Sequence, residues 1–345
     1  MSDVVIRKTG RAGRITLNRP DALNALTYDM CLAIETALDG WAIDDDVDLV
    51  VIDAAGEKAF CAGGDIAEMY RRGTAGDFDY GRKFWADEYR LNAKIFDFPK
   101  PYVAFMQGFT MGGGVGVSCH GSHRIVGTTS KIAMPECAIG LIPDVGGSLL
   151  LARAPGRLGE YLGTTGTRMN AGDAIHAEFA DYFIPETEWP TLIAKLESSG
   201  DCAAVDAAAQ TPPESALAKM APHINEHFGG ETIGDILRSL THKDDTFSRD
   251  AIAALEHQSP LSAACAVELI HRSRSRDTIQ GALELEYRFT YRAAEHGDFL
   301  EGIRAAIIER GSTPTWRYAK IDDVSVALVG KMLQPLGSNT LKLRR

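Results

Sequence analysis

The chain has 345 residues, enough to bury a sizeable core, and its hydrophobic fraction of 45% is typical of a globular protein. Its formal net charge of -11 argues against nucleic-acid and anionic-membrane partners, because both require a cationic surface. No stretch approaches the roughly 20 consecutive apolar residues that span a bilayer, and residues 1–10 lack a signal or transit pattern. We therefore expect no targeting segment and no membrane association.

The cysteine pattern bears on the compartment and on metal binding. The chain has six cysteines, spread along its length without a C-x-x-C pair. This pattern predicts neither a disulfide framework nor a thiolate zinc site. We expect a reducing, cytoplasmic location and no bound metal.

The first half alternates short β-like runs with helical patterns, which is typical of an α/β domain. Residues 4–8 and 14–18 flank a turn and predict a β-hairpin. Apolar residues at helical spacing predict an amphipathic helix over 27–40. The continuous apolar run at 48–56 predicts a buried strand.

A second helix is predicted over 81–97, where the aromatic-rich face is interpreted as core packing. Further strands are predicted at 101–108, 123–127 and 131–134, on either side of the glycine run "MGGGVG". This alternation extends the α/β pattern to the end of the first half.

The second half is predicted to be mainly helical. Several segments after Pro185 carry helical periodicity, with proline and glycine as breaks. A longer helical pattern runs from Leu261 through Gly297 and is interrupted near "SRD". We expect two domains, comprising residues 1–188 and 189–345.

Two glycine clusters follow predicted strands, "AFCAGGDI" at 59–66 and "GFTMGGGVG" at 108–116. Glycine lets backbone N–H groups approach a ligand oxygen closely. Two such loops can aim two donors at one point, as in the oxyanion holes of acyl chemistry. The alternative is that the glycines only permit tight turns. Neither cluster has the pattern of a phosphate-binding or dinucleotide-binding loop.

Two carboxylates, Glu136 and Asp144, stand in the mainly apolar stretch "MPECAIGLIPDVGGS" at 134–148. A buried carboxylate without a partner is unfavourable and takes up a proton, so acids in such a setting are candidates for catalysis. The alternatives are structural. Glu136 could cap a helix or pair with a cation, and Asp144 could cap the helix that follows it.

Four motifs, in this order and spacing, resemble the crotonase (enoyl-CoA hydratase/isomerase) superfamily: "NRPDALNALT", "KAFCAGGDI", "KPYVAFMQGFTMGGGVG" and "MPECAIGLIPDVGGS". The C-terminal residues 283–319 are similar to the 3-hydroxyisobutyryl-CoA hydrolase branch of that superfamily. The resemblance covers residues 5 to 325. It implies an α/β spiral of ββα units followed by a mainly helical C-terminal region, with acyl-CoA bound in a bent conformation.

The resemblance also implies roles for particular residues. Gly64 and Gly113 match the glycines whose N–H groups form the oxyanion hole. Glu136 and Asp144 match the two catalytic acids of the hydrolase branch. Glu88 matches a further acid that contacts the substrate, although on the residues alone it also suits a solvated helix face.

The same resemblance implies where the nucleotide end of the substrate binds. The resemblance implies that the adenine lies near the backbone of Ala62, Asp65 and Ile66. Many hydratases have a basic residue after "NRP" that meets a phosphate of coenzyme A, whereas this chain has Asp21. Lys58, or an arginine that the sequence does not identify, is an alternative source of a phosphate contact.

Two positions of this chain depart from the hydratase pattern and distinguish the hydratase branch from the hydrolase branch. Hydratases carry a catalytic glutamate three residues after the second oxyanion glycine, and Gly116 stands at that position here. The position of Asp144 is usually glycine in hydratases. The resemblance therefore implies hydrolysis of 3-hydroxyisobutyryl-CoA, or of related short β-hydroxyacyl-CoA esters, in valine catabolism.

Coenzyme A is then part of the substrate, so no separate cofactor is expected. Members of the superfamily commonly form trimers or hexamers, so the resemblance implies a homo-oligomer. Two alternatives stay open. One is an enoyl-CoA hydratase or isomerase, and the other is a non-catalytic protein that binds acyl-CoA.

Overall fold

The computed structural model describes residues 2–343 and divides into two compact units. The first unit comprises Met1–Asp65, Arg90–Ala133 and Arg168–Ala218, and the second comprises Ile66–Tyr89, Met134–Thr167 and Lys219–Arg345. Each unit is thus built from three separate stretches of sequence. The predicted domains at 1–188 and 189–345 stay a prediction.

The strands found within residues 2–343 all belong to the first unit. They are β1 (Val4–Thr9), β2 (Ala12–Leu17), β3 (Leu49–Ala54), β4 (Ala59–Cys61), β5 (Tyr102–Met106), β6 (Phe109–Met111), β7 (His123–Val126), β8 (Lys131–Ala133) and β9 (Tyr182–Phe183). Six of them form one sheet in the order β1-β2-β3-β5-β7-β9, and the other three form a second sheet in the order β4-β6-β8.

The six-stranded sheet begins with the predicted hairpin. Strands β1 and β2 pair antiparallel from Val4 opposite Leu17 to Thr9 opposite Ala12, and Gly10 takes a φ of 55° in the turn. All later pairings in this sheet are parallel. Parallel strands are covered on both faces, which is why β3 and β5 read as continuous apolar runs.

The core of the first unit lies against one face of this sheet. Its strand residues pack against apolar side chains of the helix Trp189–Ser199 and the segment after it. The cluster comprises Ala12, Leu49, Val51, Val103, Phe105, Ile125, Ile184, Trp189, Leu192, Leu196, Ala204 and Val205. Alternate residues of β3 and β5 belong to it, as the two-residue period of a strand requires.

The sequence did not predict the strands β4 and β6. Each has three residues, too few for a recognisable alternation of apolar and polar positions. They pair in parallel, and β6 pairs in parallel with β8. The consequence for the site is that the two glycine clusters begin on neighbouring strands.

Sixteen α-helices lie within residues 2–343, and none of them is long and apolar enough to cross a membrane. They are α1 (Tyr28–Ala42), α2 (Ala67–Thr74), α3 (Asp79–Phe96), α4 (Gly113–Ser118), α5 (Gly147–Arg153), α6 (Leu158–Thr165), α7 (Ala171–His176), α8 (Trp189–Ser199), α9 (Ala203–Ala208), α10 (Ala216–His227), α11 (Ile233–Thr241), α12 (Thr246–Glu256), α13 (Pro260–Arg276), α14 (Ile279–His296), α15 (Phe299–Ile303) and α16 (Val326–Leu333).

The predicted helical character of the second half is confirmed, including the long pattern after residue 260. Helix α13 begins after Ser259, whose hydroxyl accepts from the N–H of Ser262 at 3.2 Å. It ends at Arg276 with Asp277 as its C-cap, and Thr278 caps α14 by accepting from the N–H of Gly281 at 3.1 Å. The expected α/β class with a helical C-terminal region is therefore confirmed.

Candidate active site

Glu136 lies in the second unit as the first residue of a short 3-10 helix, Glu136–Ile139. Its side chain is 5% exposed, and Oε2 has no hydrogen-bond partner among residues 2–343. Burial, reinforced by the charge of Asp144, raises the pKa of Glu136 well above its usual range. The N-cap of this helix is Pro135, so the capping alternative is wrong for Glu136.

Asp144 lies at the start of a tight turn. The N–H of Gly147 donates to the Asp144 carbonyl at 2.7 Å, and between them Val145 and Gly146 have φ values of 54° and 82°. A β-branched residue at positive φ is a steric outlier that costs on the order of 1 to 3 kcal/mol. Helix α5 is capped by Gly146 without a side-chain contact, so the capping alternative for Asp144 is wrong.

The side chain of Asp144 is held by Tyr89. The phenol Oη donates to Oδ2 of Asp144 at 2.7 Å, with Tyr89 fully buried and Asp144 4% exposed. Burial raises the pKa of Asp144 to about 7, and the hydrogen bond from Tyr89 opposes this rise. The carboxyl can therefore gain or lose a proton near neutral pH.

Glu88 is the neighbour of Tyr89 on helix α3, and it is buried rather than solvated. Its side chain is 3% exposed, and Oε1 has no hydrogen-bond partner among residues 2–343. Burial, followed by the charge of Asp144, raises the pKa of Glu88 to about 8. The solvated-face alternative is therefore wrong.

Helix α14 adds a fourth acid, Glu286. Its carboxylate accepts from the N–H of Gly146 at 2.8 Å, from the N–H of Ser148 at 3.0 Å and from the hydroxyl of Ser148. Burial raises the pKa of Glu286 to about 8, while the hydrogen bonds from Ser148 and Gly146 oppose the rise. Glu286 thus contacts the turn that carries Asp144.

Asp144 is the common neighbour of the other three acids. Its charge raises the pKa of Glu88, Glu136 and Glu286. No lysine, arginine or histidine in the described part of the chain forms an ion pair with these four carboxyls. Because ionisation of one carboxyl opposes ionisation of the next, the four groups do not all lose their protons together.

The two glycine clusters come together in the first unit, after the parallel neighbours β4 and β6. A Cβ on Gly114 would lie 2.3 Å from the carbonyl oxygen of Cys61, so this close approach requires glycine. Gly113 is the first residue of α4, and neither its N–H nor that of Gly64 donates a hydrogen bond to any of residues 2–343. Two free N–H donors are therefore available for a ligand oxygen.

The residues expected near the adenine follow β4 directly. Asp65 donates its N–H to the Leu26 carbonyl at 2.7 Å, and its carboxylate pairs with Arg19 at 3.0 Å. Ala62 precedes Gly63, whose φ is 117°, and Ile66 is the N-cap residue of α2. These contacts fix the backbone around Asp65, while its contact with an adenine stays a prediction.

Asp21 and Lys58 line a common cleft of the first unit. The cleft has a volume of about 330 Å³, and Gly56 and Glu57 contribute to its walls. Lys58 is the cation among the residues that line it. A contact of Lys58 with a phosphate of coenzyme A stays a prediction.

Two residues of the acid cluster escaped the sequence analysis. The aromatic-rich face of 81–97 predicts core packing for Tyr89, and its position beside Glu88 is a signal that the pattern does not weigh. Glu286 lies on the buried stripe of α14 between Leu283 and Phe289, and a glutamate at such a position was the available signal. Among residues 2–343, no group of three or more histidine, cysteine, aspartate or glutamate side chains is arranged to hold a metal ion.

Comparison with known sequences gives one family and many relatives. The family described as Enoyl-CoA hydratase/isomerase matches residues 12–333. The protein named "3-hydroxyisobutyryl-CoA hydrolase, mitochondrial" of Gallus gallus is 36% identical over 353 residues, covering 99% of this chain and 91% of the relative. Its Homo sapiens counterpart is 35% identical over 351 residues, covering 99% and 90%.

Comparison with solved structures finds the same fold over the whole chain. A structure described as an enoyl-CoA hydratase from Rhodobacter sphaeroides is 55% identical, with a TM-score of 0.96 and coverage of 99% of this chain and 100% of that one. A structure described as a carnitinyl-CoA dehydratase from Mycobacterium thermoresistibile is 39% identical, with a TM-score of 0.95 and coverage of 99% of both chains.

Proposed function

Because this chain belongs to the enoyl-CoA hydratase/isomerase (crotonase) family and is an acyl-CoA enzyme, we propose that it hydrolyses the thioester of 3-hydroxyisobutyryl-CoA. The products are the free hydroxy acid and coenzyme A. The proposal agrees with the names of curated relatives that are 35% and 36% identical over nearly the full chain. Its place would be valine catabolism.

The observation that carries the proposal is the buried pair Glu136 and Asp144. Both carboxyls lie in the second unit, each is at most 5% exposed, and the charge of Asp144 raises the pKa of Glu136. Gly116, within helix α4, supplies no carboxyl where hydratases carry their second acid. An acid lost at 116 and an acid gained at 144 favour hydrolysis over hydration.

In the proposed reaction, the N–H groups of Gly64 and Gly113 bind the thioester oxygen as negative charge develops on it. Loss of one such donor typically costs about 10²–10³ in rate. Glu136 acts in one of two ways. The ionised carboxylate adds to the carbonyl carbon and expels the thiolate, giving an anhydride that water hydrolyses. Alternatively, it takes a proton from water while hydroxide adds to the carbonyl carbon, and the thiolate is then expelled.

Asp144 and Glu88 recognise the acyl group in this proposal. Asp144 binds the substrate hydroxyl and assists proton transfer to the leaving thiolate. Glu88, whose pKa is raised to about 8, holds its proton at neutral pH and so offers a hydrogen-bond donor to the substrate.

A thiol-release assay across matched esters tests this function. We expect the purified protein to release coenzyme A from 3-hydroxyisobutyryl-CoA faster than from isobutyryl-CoA, which lacks the hydroxyl. The same preparation is mixed with crotonyl-CoA while the conjugated absorbance is followed, and it should leave that absorbance unchanged. Absence of thiol release from every ester would overturn the proposal.

Enoyl-CoA hydration or isomerisation is the second candidate, because the Rhodobacter sphaeroides structure at 55% identity is described as an enoyl-CoA hydratase. Rapid loss of the crotonyl-CoA absorbance without thiol release would favour it. Tight binding of acyl-CoA without any turnover would instead favour a non-catalytic binding protein.

A further inference from the structure

A carboxylate far along the chain contacts the turn that presents Asp144. Glu286 lies on α14, 140 residues after Gly146, and accepts hydrogen bonds from the backbone on the C-terminal side of Asp144. We propose that Glu286 is a positioning residue for Asp144, fixing the turn at residues 144–147 so that the Asp144 carboxyl meets the substrate. This inference rests on the proposed function in giving Asp144 a catalytic role.

The turn needs an external constraint. Val145 has a φ of 54°, and a β-branched residue relaxes readily from this region to negative φ unless its surroundings oppose the change. The Asp144 carbonyl already accepts from Gly147 at 2.7 Å within the turn. That local bond closes the turn but leaves the N–H groups of Gly146 and Ser148 to be satisfied from outside.

Glu286 satisfies both of these groups with different oxygens. Oε2 accepts from Gly146 at 2.8 Å, and Oε1 accepts from the N–H of Ser148 at 3.0 Å and from its hydroxyl. Ser148 and Glu286 are fully buried, so no solvent replaces these bonds. Two oxygens bound to separate donors fix the orientation of the carboxylate relative to the turn.

Asp144 is consequently held from two directions. Tyr89 donates to its side chain at 2.7 Å, while Glu286 binds the backbone that follows it. A displacement of about 1 Å in a reacting group can reduce the rate about 100-fold. The backbone contact is thus able to control activity without touching the substrate.

Glu286→Gln tests the inference, because an amide has a single acceptor oxygen. In either orientation of the amide, its NH2 group faces one of the two backbone N–H groups. One backbone hydrogen bond is therefore lost, although the side-chain volume is nearly unchanged. Glu284→Gln is the matched control, since Glu284 lies on the same helix and pairs with Arg288 at 2.6 Å instead. Asp144→Asn and the double variant Asp144→Asn/Glu286→Gln complete the set.

The measurements are kcat and KM for the acyl-CoA reaction that the wild-type protein catalyses. We expect Glu286→Gln to lower kcat by up to about 100-fold with a smaller change in KM, and Glu284→Gln to match the wild type. In the Asp144→Asn background, Glu286→Gln should cause no further loss. A purely structural role predicts losses that multiply in the double variant, and that result would overturn the inference.

Two further measurements cover a Glu286→Gln variant that does not fold and a wild-type protein without acyl-CoA activity. If Glu286→Gln does not fold, Ser148→Ala removes the hydroxyl that donates to Glu286 and that also accepts from the hydroxyl of Ser273 at 3.2 Å. It should give a smaller loss that also disappears in the Asp144→Asn background. If the wild-type protein catalyses no acyl-CoA reaction, the proposed function fails separately. Crystal structures of wild type and Glu286→Gln then decide the inference, because an unchanged Val145 φ and an intact Tyr89–Asp144 hydrogen bond would refute it.

Discussion

The phenol oxygen of Tyr89 lies 2.7 Å from Oδ2 of Asp144, and both side chains are shielded from solvent. This hydrogen bond joins residues 55 positions apart and opposes the effect of burial on the pKa of Asp144. A residue on helix α3 thus lowers the pKa of the proposed hydroxyl-binding acid, against the effect of burial.

Tyr89→Phe should raise the pKa of Asp144 above about 7 while preserving the packing of the ring. A hydrogen bond to a charged group contributes about 1.5–3 kcal/mol, which corresponds to a shift of about 1 to 2 pH units. The measurement is the pH profile of kcat/KM. Tyr182→Phe is the control, because it removes a similar hydrogen bond in the first unit, from the Tyr182 hydroxyl to Asp206 at 2.9 Å. Superimposable profiles for wild type and Tyr89→Phe would contradict the assignment.

Glu136→Gln should abolish thioester hydrolysis and leave acyl-CoA binding largely intact, because the amide neither adds to the carbonyl nor accepts a proton from water. Calorimetric titration with 3-hydroxyisobutyryl-CoA measures binding, and thiol release measures turnover. Glu231→Gln, at a side chain that is 93% exposed, is the control and should behave as wild type. Wild-type turnover by Glu136→Gln would remove Glu136 from the mechanism.

Asp144→Gly should impair hydrolysis of the hydroxylated ester more than that of the ester without a hydroxyl. The physical reason is the loss of a hydrogen bond between a carboxyl and the substrate hydroxyl, worth about 1.5–3 kcal/mol or about 10- to 100-fold in kcat/KM. The ratio of kcat/KM for 3-hydroxyisobutyryl-CoA and isobutyryl-CoA measures it. Equal losses for the two esters would show that Asp144 does not contact the hydroxyl.

The burial of Glu88 predicts a pH-dependent stability. Its pKa is about 8 in the folded protein, above that of an unfolded glutamate, so the folded state binds more protons between these values. The free energy of unfolding therefore falls as pH rises through this range, by up to about 1.4 kcal/mol per pH unit for this group.

Glu88→Gln should flatten that dependence, because glutamine has no proton to lose. Denaturant unfolding at about pH 5 and about pH 8 should reveal a smaller decrease for Glu88→Gln than for wild type and Glu284→Gln. Parallel decreases in all three proteins would mean that Glu88 does not titrate in this way.

Sequence motifs identified the family and the residues Glu136 and Asp144. These residues stand within short runs whose spacing does not depend on the rest of the fold, so the sequence was sufficient. The cytoplasmic location stays a prediction, and the curated relatives described above are named as mitochondrial.

Local patterns also determined most of the secondary structure. The hairpin β1–β2 follows from two short β-like runs that flank a turn. The helices α1, α3, α13 and α14 follow from apolar residues at helical spacing. The three-residue strands β4 and β6 do not, because their stability comes from pairing with each other rather than from a local pattern.

Tertiary structure alone decided the environment of the acids. Helical periodicity places Tyr89 and Glu286 on buried faces, but it does not identify the groups those faces meet. The contacts of Tyr89 with Asp144 and of Glu286 with Gly146 join residues 55 and 140 positions apart. Burial raises the pKa of all four carboxyls, and these long-range hydrogen bonds oppose the rise at Asp144 and Glu286. A carboxyl's pKa depends on solvation and neighbouring charge, which the chain acquires only on folding.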